Sequence, residues 1–353
     1  MLRELFTACI LLLFPLIASG QAHKIGLILP LSGRAAQPAE TARNSAVMAN
    51  QATGATLELL IEDNGLDSTR TISAARKLIN VDRVQGLIVY AAGPSNAAAP
   101  VAEMAGIPMI GLSVDPNVSR NRKWAMIHWA SNERVADRLL TELQKRSLQR
   151  IALITTEVQG NIDLSELFLR KAADRGLQIV FNARELPGET NFLTTVSRMK
   201  QAAPDAVFIN LYYGQAGVFA RQCAERGFRP QFFSHYILDD DGEVSSAQGA
   251  LNGAFFATTS PGDLSFDREY FKKFGKRPML SGVNAYDVVA LFAEGFRKTT
   301  GSPEAVNSYL HSIKNFRGKA GDYNALPDNS FSVPAGLGEI QDGKVVKLPE
   351  VLP

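Results

Sequence analysis

The chain has 353 residues, 46% hydrophobic and 20% charged, which is room for two domains with cores of their own and is not the composition of a disordered protein. Its 37 basic and 35 acidic residues leave a net charge of +2, so it lacks the basic excess by which nucleic-acid binders grip phosphate.

The chain begins with Arg3, beside a weakening Glu4, and an apolar run over residues 5–17 (LFTACILLLFPLI). Two small-residue patterns follow, Ala18-Ser19-Gly20 and Gly20-Gln21-Ala22. This layout is that of a secretory signal over residues 1–22, removed on export. The alternative is an uncleaved anchor, but the run is shorter than the roughly 18 apolar residues a spanning helix needs, and Pro15 sits near its end. No later stretch reaches that length, so the mature product is expected to be soluble. Cys9 leaves with the signal. Cys223 then stands alone, without an internal disulfide, as packing on an apolar helix face or as a reactive thiol.

Strand and helix patterns then alternate. Residues 25–30 (IGLILP) and 57–62 (LELLIE) read as strands, and 69–81 as a helix with Ile72, Ala75, Leu78 and Ile79 on one face. Residues 86–90 (GLIVY) read as a strand, 96–105 as a helix and 108–112 as a strand. The cycle restarts with a helix at 132–146, a strand at 151–155, a helix at 164–175 and a strand at 178–181. A helix at 192–201, a strand at 206–211 and a helix at 217–226 follow, then strands at 231–234 and 254–258 and helices at 267–274 and 283–298. Units of about 30 residues suit right-handed crossovers between parallel strands. The expected fold is α/β, with two doubly wound parallel-sheet lobes joined by short crossings rather than a flexible tether.

Several chemistries lack their motifs. There is no GxGxxG, no GxxxxGK[ST], no GxSxG and no HExxH, and His23, His128, His235 and His311 are scattered. No cofactor, metal or enzymatic reaction is indicated, and no DNA-binding headpiece precedes the lobes.

In open parallel sheets ligands sit beyond the carboxyl ends of strands, where loops meet helix N-termini. Three loops of the first half qualify: residues 31–37, which include Arg34; 91–96 (AAGPSN); and 111–116 (GLSVDP). Ser95 stands where a helix would start, either as a seat for a carboxylate or only as a helix N-cap. In the second half Tyr212, Tyr213 and Gly214 end a strand, where the rings either wall a pocket or pack its rim. Residues 235–241 (HYILDDD) end another strand; three successive Asp residues form a solvated loop or an amine or metal site, and they lack calcium-loop spacing.

At these residues the chain resembles the periplasmic branched-chain amino-acid (Leu/Ile/Val) and amide-binding family, the substrate-binding component of ABC transporters. The similar segments are IGLILPLSG at 25–33, ELLIEDN at 58–64, AARKLI at 74–79, PVAEMAGIPMIG at 100–111, NFLTTVSRMKQAAPDAVFI at 191–209, ARQCAERGF at 220–228 and NAYDVVALFAEGF at 284–296. They run in order through nearly the whole mature chain. The resemblance implies the type I periplasmic binding protein fold, with lobe 1 at 23–131 plus 260–328 and lobe 2 at 132–259 plus 329–353. It implies three hinge crossings near 130–132, 258–261 and 326–331. It implies periplasmic capture of a small polar ligand (a carboxylate, amide or amino acid) between the lobes of a monomer, and delivery to an ABC permease in the inner membrane. A sensor subunit reporting to a membrane receptor, and an exported α/β enzyme, are the rival readings.

The resemblance also carries over residues. The first-lobe hydroxyl falls on Ser95, and the second-lobe tyrosine on Tyr212 or Tyr213. Ser113-Val114-Asp115-Pro116 places Val114 where the family carries a hydroxyl, with Ser113 adjacent. The acid that pairs with an amino acid's ammonium falls near Tyr236, and Asp239 is the nearest substitute. An ammonium left unpaired in a closed cleft is costly, so the expected solute is a carboxylate or amide without one. Arg34 either pairs its anionic end or stays a surface residue. Docking is expected on Ser95 and Ser113, with Tyr212, Tyr213 and Tyr236 closing over it.

Overall fold

The computed structural model describes residues 22–259 and 264–348. The expected signal up to Gln21, with Cys9, lies outside the described residues, as do residues 260–261 of the second expected crossing.

The first half runs β1 (His23–Leu29), α1 (Ala36–Ala52), β2 (Leu57–Asp63), α2 (Ser68–Asn80), β3 (Gly86–Tyr90), α3 (Ala92–Ala105), β4 (Met109–Leu112) and β5 (Ala125–Ile127). These strands form one parallel sheet in the order β2-β1-β3-β4-β5. All five residues of β3 are buried, as an apolar strand covered by helices on both faces must be.

The second half runs α4 (Asn132–Lys145), β6 (Arg150–Thr156), α5 (Gln159–Asp174), β7 (Gln178–Glu185), α6 (Leu193–Gln201), β8 (Ala206–Asn210), α7 (Ala216–Glu225), β9 (Gln231–Ser234), α8 (Asp241–Ser246) and β10 (Phe255–Thr259). Its parallel strands lie in the order β7-β6-β8-β9-β10, the same winding as the first sheet. Three stacked rings, Phe208, Phe233 and Phe255, link β8, β9 and β10 at centroid spacings of 5.1 and 5.5 Å, and Phe168 of α5 covers them. Full burial of such rings stabilises by roughly 1.5–3 kcal/mol each.

The chain then returns to the first sheet with α9 (Ser265–Phe274), α10 (Gly282–Lys298), α11 (Pro303–His311) and the hairpin β11 (Phe316–Gly318) and β12 (Gly321–Tyr323). Helix α10 packs along α1. Phe292 of α10 lies so close to β3 that a Cβ on Gly86 would meet its ring at 2.6 Å, so glycine is required there. The chain finally crosses back as β13 (Ala335–Gln341) and β14 (Lys344–Leu348), which extend the second sheet antiparallel from β10.

The three passages between the sheets run side by side. Phe331 N–H donates to the Ile127 carbonyl at 3.2 Å, and Ala130 N–H donates to Thr259 Oγ1 at 3.4 Å. Buried Asn284 of α10 ties two of them, with Nδ2 donating to the His128 carbonyl at 3.2 Å and Thr259 Oγ1 at 3.4 Å. This bundle of short crossings is the geometry of a hinge.

Two helices start earlier than their apolar patterns. Helix α3 begins at Ala92, not at residue 96, and α5 begins at Gln159, not at residue 164. Pro94 falls in the first turn of α3, where its missing N–H has no intrahelical acceptor to lose, so a Gly-Pro that reads as a turn is in fact helical. Helix α1, rich in small residues, strands β5 and β11 to β14, and helices α8 and α11 carry too little periodicity to be read.

Candidate functional site

The carboxyl ends of both parallel sheets face one another across a cavity of about 600 Å³, within the range of small-molecule sites. From the first lobe it takes Gly33 and Arg34 after β1, Leu66 after β2, Tyr90 at the end of β3, the first turn of α3, and Ser113 and Val114 after β4. From the second come Val158, Gly160 and Asn161 between β6 and α5, Pro187 after β7, Tyr212 and Tyr213 after β8, and Tyr236 after β9. Trp129, in the first crossing, and Leu280 complete it. In both sheets the strand order reverses at this edge, which is where doubly wound sheets place their ligands.

The walls are aromatic. Trp129 and Tyr236 meet edge to face at 5.4 Å, and so do Tyr212 and Tyr213 at 5.1 Å. The hydroxyls of Tyr90 and Tyr213 hydrogen-bond across the lobes at 3.1 Å. Burial pushes the phenols of Tyr90, Tyr213 and Tyr236 well above their ordinary range. It raises Tyr212 as well, against the opposing pull of the Arg34 charge. All four stay protonated at neutral pH and serve as hydrogen-bonding groups.

Charge in the cavity is one-sided. Arg34 is the one charged residue among the described lining residues, and none is acidic. Its exposed guanidinium has no hydrogen-bond or ion-pair partner among the described residues. Ser113 Oγ accepts the Asp115 N–H at 3.0 Å, which leaves its hydroxyl proton for a ligand. The N–H groups of Ala92 and Gly93 precede the first bond of α3, from Ser95 N–H to the Ala91 carbonyl at 3.0 Å, and are free to donate. Ala91 itself has φ 72° and ψ 157°, a conformation that costs a non-glycine residue about 1–3 kcal/mol. Strain of this kind, at the point where β3 turns into α3, fits a backbone shaped for binding.

The supporting contacts set the second-lobe loops. Thr156 Oγ1 donates to Gln215 Oε1 at 2.6 Å and accepts the Tyr212 N–H at 3.0 Å. Glu243 accepts the N–H groups of Gly214 and Gly217. Asn161 Nδ2 donates to the carbonyl and Oδ1 of Asn210, both at 3.0 Å, and Asn210 Nδ2 donates back to the Asn161 carbonyl at 2.7 Å.

Of the expected ligand-binding residues, Arg34, Ser113, Val114, Tyr212, Tyr213 and Tyr236 line this cavity, and two do not. Ser95 lies in the fourth position of α3 because that helix starts early; its fully buried hydroxyl donates to the Val89 carbonyl at 3.0 Å, tying α3 to the sheet. Asp239 is buried, does not line the cavity, and is paired through Oδ1 to Arg277 at 2.7 Å. Asp115 is likewise occupied, by Asn96 Nδ2 at 2.6 Å and Asn117 N–H at 2.9 Å. The lining residues that the patterns missed are chiefly Tyr90, Trp129, Asn161, Leu66 and Pro187. Tyr90 had a signal, as the last residue of the strand GLIVY. Cys223 is buried, and burial pushes its thiol up, so it is packing.

The fold matches known proteins. A family profile described as "Periplasmic binding protein" matches residues 22–344. The "Leu/Ile/Val-binding protein homolog 7" of Brucella melitensis is 25% identical over 327 residues, covering 82% of this chain and 80% of that protein. A leucine-binding protein of Thermotoga maritima superposes with a TM-score of 0.83 at 22% identity, over 92% of this chain and 97% of that one. The solute-binding protein of an ABC transporter from Rhodopseudomonas palustris BisB5, solved with 3,4-dihydroxybenzoic acid, superposes with a TM-score of 0.82 at 22% identity, over 93% and 96%.

Proposed function

The chain belongs to the periplasmic binding protein family, and on that premise we propose that it captures a carboxylate without an α-ammonium, carried on an aromatic or bulky apolar body. It is a two-lobed solute-binding protein of the kind that serves ABC importers, and the solute sits between the lobes.

The observation that carries the choice of solute is the charge inventory of the cavity: one guanidinium and no acid among the described lining residues. A free amino acid brings both signs. Its ammonium would be enclosed with no counter-charge, at a cost of several kcal/mol. A carboxylate meets Arg34, the Ser113 hydroxyl and the amides of Ala92 and Gly93, and bonds to a charged group are worth about 1.5–3 kcal/mol each. Three of them with ring contacts reach the roughly 8 kcal/mol of micromolar affinity. The ring cluster of Trp129, Tyr236, Tyr212 and Tyr90 then accepts a flat apolar body by offset or edge-on stacking. The Rhodopseudomonas protein solved with 3,4-dihydroxybenzoic acid supports this class. The Leu/Ile/Val-binding names among the relatives favour amino acids, but the family's pairing acid has no counterpart in this cavity.

In the proposed cycle the solute docks on the first lobe, through Arg34, Ser113 and the start of α3. Tyr212, Tyr213 and Tyr236 then close over it from the second. A solute that contacts both lobes adds to whatever already favours the closed form, and the second-lobe rings carry that addition. In this reading the solute leaves unaltered, as befits a member of a substrate-binding family. The protein works as a monomer in the periplasm, exported by its N-terminal signal, and hands its cargo to an inner-membrane permease.

A thermal-shift screen of the purified chain with benzoate, 3,4-dihydroxybenzoate and phenylacetate against leucine and isoleucine tests the solute class. Stabilisation by the first group alone is expected, with mass spectrometry recovering the compound intact. Stabilisation by the amino acids alone overturns the class, and turnover overturns the non-enzymatic role.

A further inference from the structure

We propose that a cluster of charges at the lobe boundary, outside the cavity, is a latch that holds the two lobes shut with or without a solute. Its centre is Arg277, in the segment between α9 and α10. That segment is anchored to the first lobe, since Lys276 Nζ reaches Glu40 of α1 at 2.7 Å and the Tyr270 hydroxyl accepts from Asn44 of α1 at 3.2 Å. The guanidinium nevertheless spends its donors on the second lobe. Nη1 donates to Asp239 Oδ1 at 2.7 Å, Nη2 to the Asp239 carbonyl at 2.9 Å, and Nε and Nη2 both to Asp241 Oδ1 at 2.9 and 2.6 Å. Asp239 and Asp241 follow β9 of the second sheet. A second pair spans the boundary with its signs reversed: Lys347 of β14 reaches Asp267, in the first turn of α9, at 3.3 Å.

The arrangement has the marks of a device rather than of surface decoration. The Asp239 side chain is 2% exposed and that of Lys347 8%, so both are withdrawn from water and each meets an opposite charge from the other lobe. The guanidinium fork engages two carboxylates and a carbonyl, the planar multidentate geometry in which Arg outperforms Lys. Around it the lobes also touch through the Tyr90 and Tyr213 hydroxyls and through Ala35 and Leu66 of the first lobe, which pack into the apolar core of the second. None of the five charged residues lines the cavity. Closure favoured by them is therefore the same for empty and loaded protein. A latch of that kind leaves affinity nearly unchanged when the empty protein is already mostly closed, and slows both entry and exit.

Small-angle scattering of the ligand-free chain, at low salt and in 1 M NaCl, reads the latch directly and involves no solute, so its outcome is separate from that of the proposed ligand class. The wild type at low salt is expected to give the radius of gyration of the closed form. High salt and Arg277→Met should each shift it upward, and Asp241→Asn should shift it less, because Asp239 stays paired. Should Arg277→Met fail to fold, the salt series and Asp241→Asn, whose side chain is 53% exposed, carry the test. With 3,4-dihydroxybenzoate as probe, association and dissociation should both speed up several-fold in Asp241→Asn with little change in their ratio. A wild type that is already open at low salt, or a radius indifferent to both salt and substitution, overturns the latch.

Discussion

Tyr90, the last residue of β3, and Tyr213, just after β8, place their hydroxyl oxygens 3.1 Å apart across the cleft. Both rings are buried, and one hydroxyl donates to the other. The pair is both wall and clasp, because the same rings that face the cavity join the lobes. Removing one hydroxyl strands its partner in the closed form, which costs about 1–3 kcal/mol, whereas removing both costs less. We expect Tyr90→Phe and Tyr213→Phe each to weaken solute binding by about tenfold or more, since 1.4 kcal/mol is a factor of ten. The double variant should recover part of the loss. A double-mutant cycle by calorimetry measures the coupling, and additive losses would mean the two hydroxyls act independently.

Two serines that look alike in sequence should behave differently. Ser113 keeps a donor for the cavity, so Ser113→Ala should weaken carboxylate binding by about tenfold with little change in unfolding free energy. Ser95 holds α3 to the sheet and does not line the cavity. Ser95→Ala should lower stability by about 1 kcal/mol in urea and leave affinity near the wild-type value. The opposite assignment of effects would return Ser95 to the site.

His128 and His235 should each lower stability as the solution is acidified below about 6.5. Burial holds the imidazoles of His128 and His235 down to about 3 in the folded chain, so between there and the ordinary histidine value near 6.5 only the unfolded chain binds those protons. Their stabilising effect is complete above 6.5 and is lost as pH falls. Asp287 works the other way. Burial raises it to about 7, against the Ala320 and Lys319 N–H bonds, so its effect is greatest below its unfolded value near 3.8 and is lost as pH rises toward 7. Across roughly pH 4.5–5.5 the two histidines outweigh the one carboxyl by about a single proton, a slope of about 1.4 kcal/mol per pH unit from these groups. Asp287→Asn should remove the opposing group and steepen the fall toward about twice that. Urea titrations at pH 5 and 6.5 check both signs, and a fall that is shallower in Asp287→Asn would contradict the assignment.

Much of this site is legible from strand ends alone. Arg34, Ser113, Val114, Tyr212, Tyr213 and Tyr236 each follow an apolar run, and the carboxyl end of a parallel strand is where a ligand sits. The two that fell elsewhere did so for different reasons. Ser95 depended on where α3 begins, and Gly93-Pro94 hides a helical first turn behind the residues of a reverse turn. Asp239 depended on a partner, Arg277, 38 residues away on the opposite lobe, which no local pattern carries. Trp129 was hidden for a similar reason: it lies in a crossing that has no periodicity, and only the approach of the two sheets makes it a wall of the cavity.

Arg34, the one cation among the described lining residues of the cleft, offers the most direct trial of the whole reading. Calorimetric titration of the wild type and of Arg34→Gln, with 3,4-dihydroxybenzoate and with L-leucine, compares an anion lacking an ammonium with a zwitterion in the same cavity. We expect the wild type to bind 3,4-dihydroxybenzoate and not leucine, and Arg34→Gln to lose about 10- to 100-fold in affinity for it, the equivalent of one charged hydrogen bond. Tight binding of leucine by the wild type, undiminished in Arg34→Gln, would contradict it.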